Sequence, residues 1–175
     1  SFYKLKTENL PNLKKILSYL ASIKPGEVNT NNIAKAMKID NKTVVSYLEM
    51  LEETGLVRRI GIDQAGGPVL RKPDKIFLNN ASLYYAIAQG TGHDANIGTI
   101  RETFFVSMLH GANHATLYAT QGDYTCNGVT FEIGGRNKNF KQISDLKTQA
   151  FIVKDDILHS EGKRSIPLYL WGFLY

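Results

Sequence analysis

In the first part of the chain, apolar residues recur at intervals of three and four, which is the spacing of an amphipathic helix. The pattern predicts helices in NLKKILSYLAS, NTNNIAKAMKI and IDNKTVVSYLEMLEETGLV. Asn29 or Thr30 is expected to cap the second helix, and Asp40 or Asn41 the third, because their side chains accept hydrogen bonds from free N–H groups. Gly55 is expected to end the third helix in a left-handed conformation.

Two strand-like segments follow these helices, LVRRIGI and KIFLNN, with the loop DQAGGPVLRKPD between them. Helices with a short turn between the second and third, followed by a two-stranded hairpin, are typical of a winged helix-turn-helix. We therefore predict a winged helix-turn-helix domain over residues 1–80.

Residues 81–175 carry the pattern of a mixed α/β (α+β) domain. Helical spacing occurs in SLYYAIAQG, with Ser82 as the expected cap, and in NIGTIRETFFVSMLHGA, which Gly111 is expected to end. ATLYAT, GDYTCNGVTFEIGG and AFIVKDD are predicted strands, and Asn127-Gly128 is a two-residue hairpin signal. NFKQISDL is predicted to be a further amphipathic helix.

The last apolar segment, IPLYLWGFLY, places aromatic residues at alternate positions, namely Tyr169, Trp171, Phe173 and Tyr175. We expect these rings to pack under the second domain rather than to stack on nucleobases. An exposed part of the segment is the alternative, as a docking surface for a partner.

Length and composition are those of a globular protein of one or two small domains, with 175 residues of which 43% are hydrophobic. The apolar runs are shorter than the roughly 20 residues of a membrane-spanning helix, and no signal pattern precedes the first helix. The single cysteine, Cys126, has no partner for an internal disulfide. We therefore expect a cytoplasmic protein without a membrane partner.

Positive charge is concentrated in the first domain. Residues 1–80 contain 13 Lys and Arg against 8 Asp and Glu, whereas residues 81–175 contain 8 of each. Such asymmetry is typical of nucleic-acid contact, although it is also common on ordinary surfaces. The candidate DNA-binding residues lie at the start of the third helix and in or near the hairpin: Lys42, Thr43, Arg58, Arg59, Arg71, Lys72 and Lys75.

The outward face of the third helix opposes such binding, because Glu49, Glu52 and Glu53 would repel phosphate. Two hypotheses of DNA binding are nevertheless kept, namely non-specific contact through the hairpin and sequence-specific regulation. A winged helix used for protein docking is the reading that we favour from the sequence.

Three acidic residues of the second domain have the distribution of a nuclease site: Glu102 in a helix, Asp123 at the start of a strand and Glu132 at the end of the next. Carboxylates that converge in this way bind Mg²⁺ or Mn²⁺, and Asp123 and Glu132 are the candidate metal ligands. This arrangement resembles that of the restriction-endonuclease-like fold, whose motif ends in Asp or Glu, any residue, then Lys, but here Gly134 stands at the lysine position. Lys138, six residues after Glu132, is the candidate replacement; ordinary turn and capping roles for the acids are the alternative.

The chain is similar to the C-terminal region of a family of prokaryotic P-loop ATPases of the AAA type. The similarity lies in NTNNIAKAMKIDNKTVVSYLEMLEETGLV, KIFLNN, RETFFVSML, GDYTCNGVTFEIGGRNKNFKQI and IPLYLWGFLY. In that family an ATPase module precedes a winged helix and a restriction-endonuclease-like domain of unknown function. The resemblance implies a nuclease-like domain over residues 81–175, with Glu102, Asp123 and Glu132 on its acidic positions.

The resemblance also implies a partner and a nucleotide that these residues do not themselves provide. No GxxxxGK[ST] phosphate loop occurs, so ATP would bind in the ATPase module and no cofactor is assigned to this chain. The favoured hypothesis is an accessory or regulatory binding region of an AAA-type ATPase, with an inactive nuclease-like centre. The alternatives are an active metal-dependent DNA endonuclease that uses Lys138, and a DNA-binding winged-helix regulator; self-association is left open.

Overall fold

The computed structural model describes residues 9–62, 74–92 and 94–174, which fold as a mixture of α and β structure. The α-helices are α1 (Leu10–Ser22), α2 (Thr30–Met37), α3 (Asn41–Glu53), α4 (Ala81–Thr91) and α5 (Ile97–Gly111). The strands are β1 (Val57–Ile60), β2 (Lys75–Leu78), β3 (Thr116–Tyr118), β4 (Tyr124–Cys126), β5 (Val129–Gly134), β6 (Ala150–Lys154) and β7 (Ser165–Pro167). Short 3-10 helices span Pro25–Glu27, Phe140–Gln142 and Leu168–Phe173. No helix in these ranges combines the length and hydrophobicity needed to cross a lipid bilayer.

The first compact unit contains the described residues up to Arg59 and from Lys75 to Asn96. The three predicted helices are present, and so is the pair β1–β2. Asn29 caps α2 and Asp40 caps α3 through their side-chain oxygens. Gly55 follows α3 with φ +72°, as expected.

The fourth helix differs from its sequence-based prediction in two respects. Its cap is Asn80, whose side-chain oxygen accepts from the N–H of Leu83 at 2.7 Å, so the predicted Ser82 cap is wrong. In addition α4 packs against α1 and β2 and therefore belongs to the first unit. The unit thus extends past the predicted boundary between residues 80 and 81, because the buried Tyr84 and Ala88 give α4 an apolar face that needs a partner.

The second unit contains Ile60–Ile62, Asp74 and the described residues from Ile97 onward, and is built on a five-stranded sheet of order β3-β4-β5-β6-β7. The pairs β3–β4 and β4–β5 are antiparallel, whereas β5–β6 and β6–β7 are parallel. Asn127 and Gly128 form the predicted β4–β5 turn, with φ of +50° and +78°. The strands β5, β6 and β7 therefore end at the same edge of the sheet.

One face of this sheet carries an aromatic core. Phe105 of α5 lies between three rings, with centroid distances of 5.9 Å to Tyr124, 5.3 Å to Phe131 and 5.2 Å to Trp171. Trp171 is buried, as the sequence predicted for the last apolar segment, but Tyr169 and Phe173 are exposed. The fourth predicted ring, Tyr175, lies outside the described residues.

On the other face, the segment NFKQISDL does not form the predicted amphipathic helix. Only Phe140–Gln142 is helical, as a single 3-10 turn capped by Asn139. Ile143 then packs on Ala150 and Ile152, so tertiary contact rather than helical periodicity accounts for its burial. The segment covers the face of the sheet from which Glu132 projects, because Glu132 is the register partner of Ile152.

Gly122, immediately before Asp123, is the glycine whose replacement is expected to destabilise the second unit most clearly. It has φ +88°, and a Cβ there would lie 2.7 Å from Cγ2 of Thr130 and 3.1 Å from Cγ2 of Ile143. We expect Gly122→Ala to lower the free energy of unfolding by about 2–4 kcal/mol, as strain and steric overlap combine. Gly128→Ala is the matched control in urea unfolding, since it has a similar φ but no atom within 4 Å; equal losses in the two variants would contradict the contribution of overlap.

Candidate functional site

Among the described residues of the second unit, Glu132 is the most buried charged residue, with 1% exposure. Neither of its carboxylate oxygens has a hydrogen-bond partner of good geometry among the described residues. The Lys138 ammonium nevertheless lies 2.5 Å from Oε1, which makes a close ion pair. A buried carboxylate normally has its oxygens satisfied, so the open Oε2 makes Glu132 a candidate for binding a ligand.

Lys138 reaches Glu132 by passing over Gly134. A Cβ built on Gly134 would lie 2.7 Å from Cδ, 2.8 Å from Cγ and 2.9 Å from Cβ of Lys138. The lysine stem thus occupies the space in which a side chain at position 134 would begin. A tight turn brings it there, because the Lys138 N–H donates to the carbonyl oxygen of Gly135 at 2.9 Å.

Asp123 lies next to this ion pair. Its Oδ2 accepts from the N–H of Ile133 at 2.7 Å, which ties the residue before β4 to the β5 position that follows Glu132. Burial raises the pKa of Asp123 to about 6, with added repulsion from Glu132 and Glu102, while the Ile133 hydrogen bond and Lys138 act in the opposite direction. Asp123 is therefore close enough to both glutamates and to Lys138 to sense their charges.

Glu102 of α5 is held through Tyr124 of β4. The Tyr124 hydroxyl donates a hydrogen bond to Oε2 of Glu102. Burial and the neighbouring Glu102 and Asp123 carboxylates raise the pKa of Tyr124 well above its ordinary value, so the hydroxyl keeps its proton. Glu102 thus belongs to the same electrostatic group as Asp123 but is oriented by its own donor.

Arg101, which the sequence analysis did not single out, braces the backbone beside Lys138. Its guanidinium lies against Gly135, where a Cβ would be 3.1 Å from Nη1. It also pairs with Asp155 at 2.9 Å and with Asp156 at 3.1 Å, and the Asp155 N–H donates to the carbonyl oxygen of Gly134 at 2.8 Å. Gly134-Gly135 therefore leaves room for two cationic side chains, a role that is invisible without the tertiary structure.

The structure thus brings together Glu102, Asp123, Glu132 and Lys138, the four residues proposed from the sequence. Across the part of the chain that is described, His, Cys, Asp and Glu side chains form no group of three or more suited to a metal ion. Asp123 and Glu132 are the two carboxylates that could contribute to binding a divalent cation here, with water or substrate oxygens completing its shell, as is common for Mg²⁺. Lys141 and Gln142, which follow Lys138 in the chain and could also offer a charge or a hydrogen bond to this site, are exposed.

The raised pKa of Asp123 predicts a pH-dependent stability. Because the folded protein holds this proton more tightly than the unfolded chain, whose aspartate titrates near 3.8, the stability contributed by protonation is present below about pH 4 and is lost as pH rises to about 6. Asp123→Asn keeps an acceptor for the Ile133 N–H. We expect its free energy of unfolding at pH 7 to be about 2 kcal/mol higher than that of the wild type. Urea unfolding at pH 4, 5, 6 and 7 in EDTA measures this difference; a gap that does not shrink toward pH 4 would contradict the assignment.

The candidate DNA-binding residues occupy less accessible positions than their charges suggest. Arg58 donates to the side-chain oxygen of Asn79, and Arg59 pairs with Glu52 at 3.1 Å. Lys75 is half-buried. These cations are thus engaged within the first unit, which reduces the charge that the hairpin offers to phosphate.

At the start of α3, the Thr43 hydroxyl donates to Oδ2 of Asp40 at 2.6 Å as part of the helix cap. Lys42 is exposed on the same turn. Arg71 and Lys72 lie outside the described residues. Lys42 is therefore the candidate whose position in the structure is most open to solvent.

A family model with the description "Domain of unknown function (DUF8612)" matches residues 2–94. The match covers α1 to α4 and the β1–β2 pair and ends before Glu102, Asp123 and Glu132. No curated protein and no solved structure matches the chain. The family description names no activity, so the chemistry of the acidic site has to be inferred from its geometry.

Proposed function

We propose that this chain, which belongs to the family described as "Domain of unknown function (DUF8612)", is a metal-dependent nuclease that hydrolyses phosphodiester bonds at Asp123, Glu132 and Lys138. The observation that carries the proposal is the path of Lys138 across Gly134 to the buried Glu132 carboxylate. The sequence alone favoured an inactive centre because Gly134 replaces the expected lysine. Because the Lys138 stem occupies the space of a side chain at position 134, the structure supports the alternative of an active nuclease instead.

Each residue has a chemical role in this proposal. Asp123 and Glu132 are suited to hold Mg²⁺ or Mn²⁺ through hard carboxylate oxygens, and Oε2 of Glu132 is the acceptor left open. Such an ion activates water for attack and offsets charge on the phosphate. The Lys138 ammonium, 30% exposed at its side chain, can reach an incoming phosphate and stabilise the charge that develops on it.

Glu102 is a positioning and electrostatic residue in this account. Tyr124 fixes its carboxylate, and its charge helps to raise the pKa of Asp123. An excess of negative charge around Asp123 favours capture of a divalent cation, because the cation offsets repulsion between carboxylates that Lys138 compensates only in part.

The sheet order and the helix α5 support a restriction-endonuclease-like fold for the second unit. The second unit combines an acidic helix residue, Glu102, with antiparallel β3-β4-β5 strands and a parallel β6, and this combination is what supports the proposal. For the first unit, the helices α1–α3 followed by β1 and β2 support a winged helix-turn-helix. We propose that it serves as a docking module, since Arg58 and Arg59 are engaged internally.

The AAA-type ATPase module, its ATP, a DNA partner of the first unit and a cytoplasmic location stay predictions from the sequence and its resemblance. None of them is needed for the chemistry proposed for the second unit. The nuclease proposal can therefore be tested on this chain alone.

The experiment is a nicking assay on supercoiled plasmid, sampled over time, with an EDTA control. Mn²⁺ or Mg²⁺ is present at about 1–10 mM, because Mg²⁺ sites with two carboxylates are weak. We expect metal-dependent conversion to open circles by the wild type and none by Glu132→Gln prepared in parallel. Equal nicking by both proteins would assign the activity to a contaminant or another site, and no nicking by either would overturn the proposal.

A further inference from the structure

A cleft of about 390 Å³ lies at the edge of the sheet where β5 and β6 end. It is lined by the loop residue Arg136, two positions beyond β5, and by Asp156–Glu161, which follow β6. In sheets with parallel strands, ligands bind outside the carboxyl ends of those strands. The cleft therefore occupies a favourable position for a substrate, and Arg136 lies only four residues from Glu132.

The acidic residues of the cleft are paired with cations that lie beside it. Asp156 pairs with Arg101 at 3.1 Å, and Glu161 pairs with Lys154 at 2.8 Å. Arg136 is exposed and makes no hydrogen bond or ion pair with any described residue, although its charge, after the larger effect of Lys154, helps to lower the pKa of the Glu161 carboxyl. Its guanidinium, with the exposed His159 imidazole and Ser160 hydroxyl, is thus available as a set of donors to an anionic ligand.

An apolar surface adjoins these donors. Leu158, a lining residue, is 76% exposed, and its carbonyl oxygen accepts a hydrogen bond from the Tyr169 hydroxyl at 3.0 Å. That bond holds the Tyr169 ring next to the cleft while leaving it 47% exposed. A fixed, exposed aromatic ring at the border of a cleft that also holds a guanidinium is a suitable surface for stacking an unpaired nucleobase.

From this arrangement we propose that the cleft binds one unpaired nucleotide of the substrate strand, next to the bond that is cut. Arg136 takes the nucleotide's phosphate, and Tyr169 with Leu158 contacts its base. The inference rests on the proposed nuclease function for its biological meaning. The binding itself can be measured without cleavage.

The first test measures the binding of a fluorescein-labelled single-stranded 12-mer by anisotropy in Ca²⁺, at four salt concentrations. Arg136→Ala is expected to weaken binding about tenfold and to reduce the salt slope by about 0.7, the value for one phosphate contact on a single strand. Lys163→Ala removes the same charge from an exposed site outside the cleft and is the matched control. Equal effects of the two variants, or no binding by the wild type, would overturn the proposal.

The second test separates the base contact from general charge. Tyr169→Ala is expected to weaken binding of the 12-mer about tenfold. Tyr169→Phe keeps the ring but loses the hydrogen bond to Leu158, so its affinity should lie between those of the wild type and Tyr169→Ala. Deoxythymidine monophosphate is included as a competitor, because displacement of the 12-mer at micromolar concentration would indicate a free-nucleotide site instead and overturn the strand assignment. No loss in Tyr169→Ala would likewise overturn it.

Cleavage kinetics distinguish failure of this inference from failure of the nuclease proposal. With single-stranded substrate, Arg136→Ala should raise KM about tenfold and leave kcat within about twofold, since it loses a contact made equally in ground and transition states. If Arg136→Ala cleaves with an unchanged KM, nucleotide binding in the cleft is contradicted and the nuclease proposal is retained. If binding of the 12-mer depends on Arg136 but no protein cleaves, nucleotide binding in the cleft is retained and the nuclease proposal is contradicted.

Discussion

Lys138→Met should lower the metal-dependent cleavage rate by about 100- to 1000-fold, the usual loss when one group that stabilises transition-state charge is removed. Methionine keeps an unbranched stem over Gly134 and removes only the charge, so the variant should retain the packing of that turn. The loss should appear in kcat, because the ammonium acts on charge that develops during reaction rather than on substrate affinity.

Lys138→Arg is the conservative partner of this variant. Arginine keeps the charge but presents it on a planar group that is larger than an ammonium, so we expect intermediate activity. Manganese titration by calorimetry is the control, since Lys138 is not a metal ligand and both variants should still bind the ion. Full activity in Lys138→Met would show that this lysine has no role in cleavage.

Glu132→Gln should abolish cleavage, with a loss of at least about 1000-fold, because the neutral amide oxygen is a much weaker metal ligand than the charged carboxylate. Folding should be little affected. The freed Lys138 side chain is already 30% exposed and can turn its ammonium to water, so we expect the free energy of unfolding to change by less than about 1 kcal/mol.

Asp145→Asn is the matched control for Glu132→Gln, since it removes an exposed carboxylate of the same unit. It should cleave plasmid and bind manganese as the wild type does. The two measurements together separate a lost ligand from a general change in charge. Cleavage that survives in Glu132→Gln would contradict the assignment of the site.

Most of the secondary structure was accessible from the sequence because the signals were local. Asn29 and Asp40 cap the starts of α2 and α3, and Gly55 follows the end of α3, as expected. Asn127-Gly128 forms the expected hairpin turn. The helix predicted in NFKQISDL was wrong although Phe140, Ile143 and Leu146 recur at helical spacing, because these side chains join the cluster around Ile152 of β6 from a backbone that is helical only over Phe140–Gln142. Tertiary packing overrode periodicity at that point.

The acidic residues of the site could be named from the sequence, but the environment of each could not. Position 134 lacks a lysine, and only the tight turn at Gly135–Lys138 reveals that another lysine fills the same space. Similarly, the charges of Arg58 and Arg59 indicated a DNA-binding hairpin, whereas their partners Asn79 and Glu52 lie distant in sequence or on another element. A sequence reports which charges exist and leaves their pairing to the fold.

The central claim is that Lys138 supplies the cation that a lysine at position 134 would supply, and moving the lysine tests this most directly. Side chains two apart on a strand share a face, so a lysine at position 134 can reach Glu132. Gly134→Lys combined with Lys138→Gly makes the exchange without overlap with the Lys138 side chain, whereas Gly134→Lys alone places its Cβ within 2.9 Å of the Lys138 stem.

Single-turnover cleavage in Mn²⁺ is compared for the wild type, Lys138→Gly and the double variant. The account predicts loss in Lys138→Gly and recovery of at least about tenfold when Gly134→Lys is added, because the transition-state charge regains its cation. A folded double variant that binds manganese but is no faster than Lys138→Gly would contradict the account.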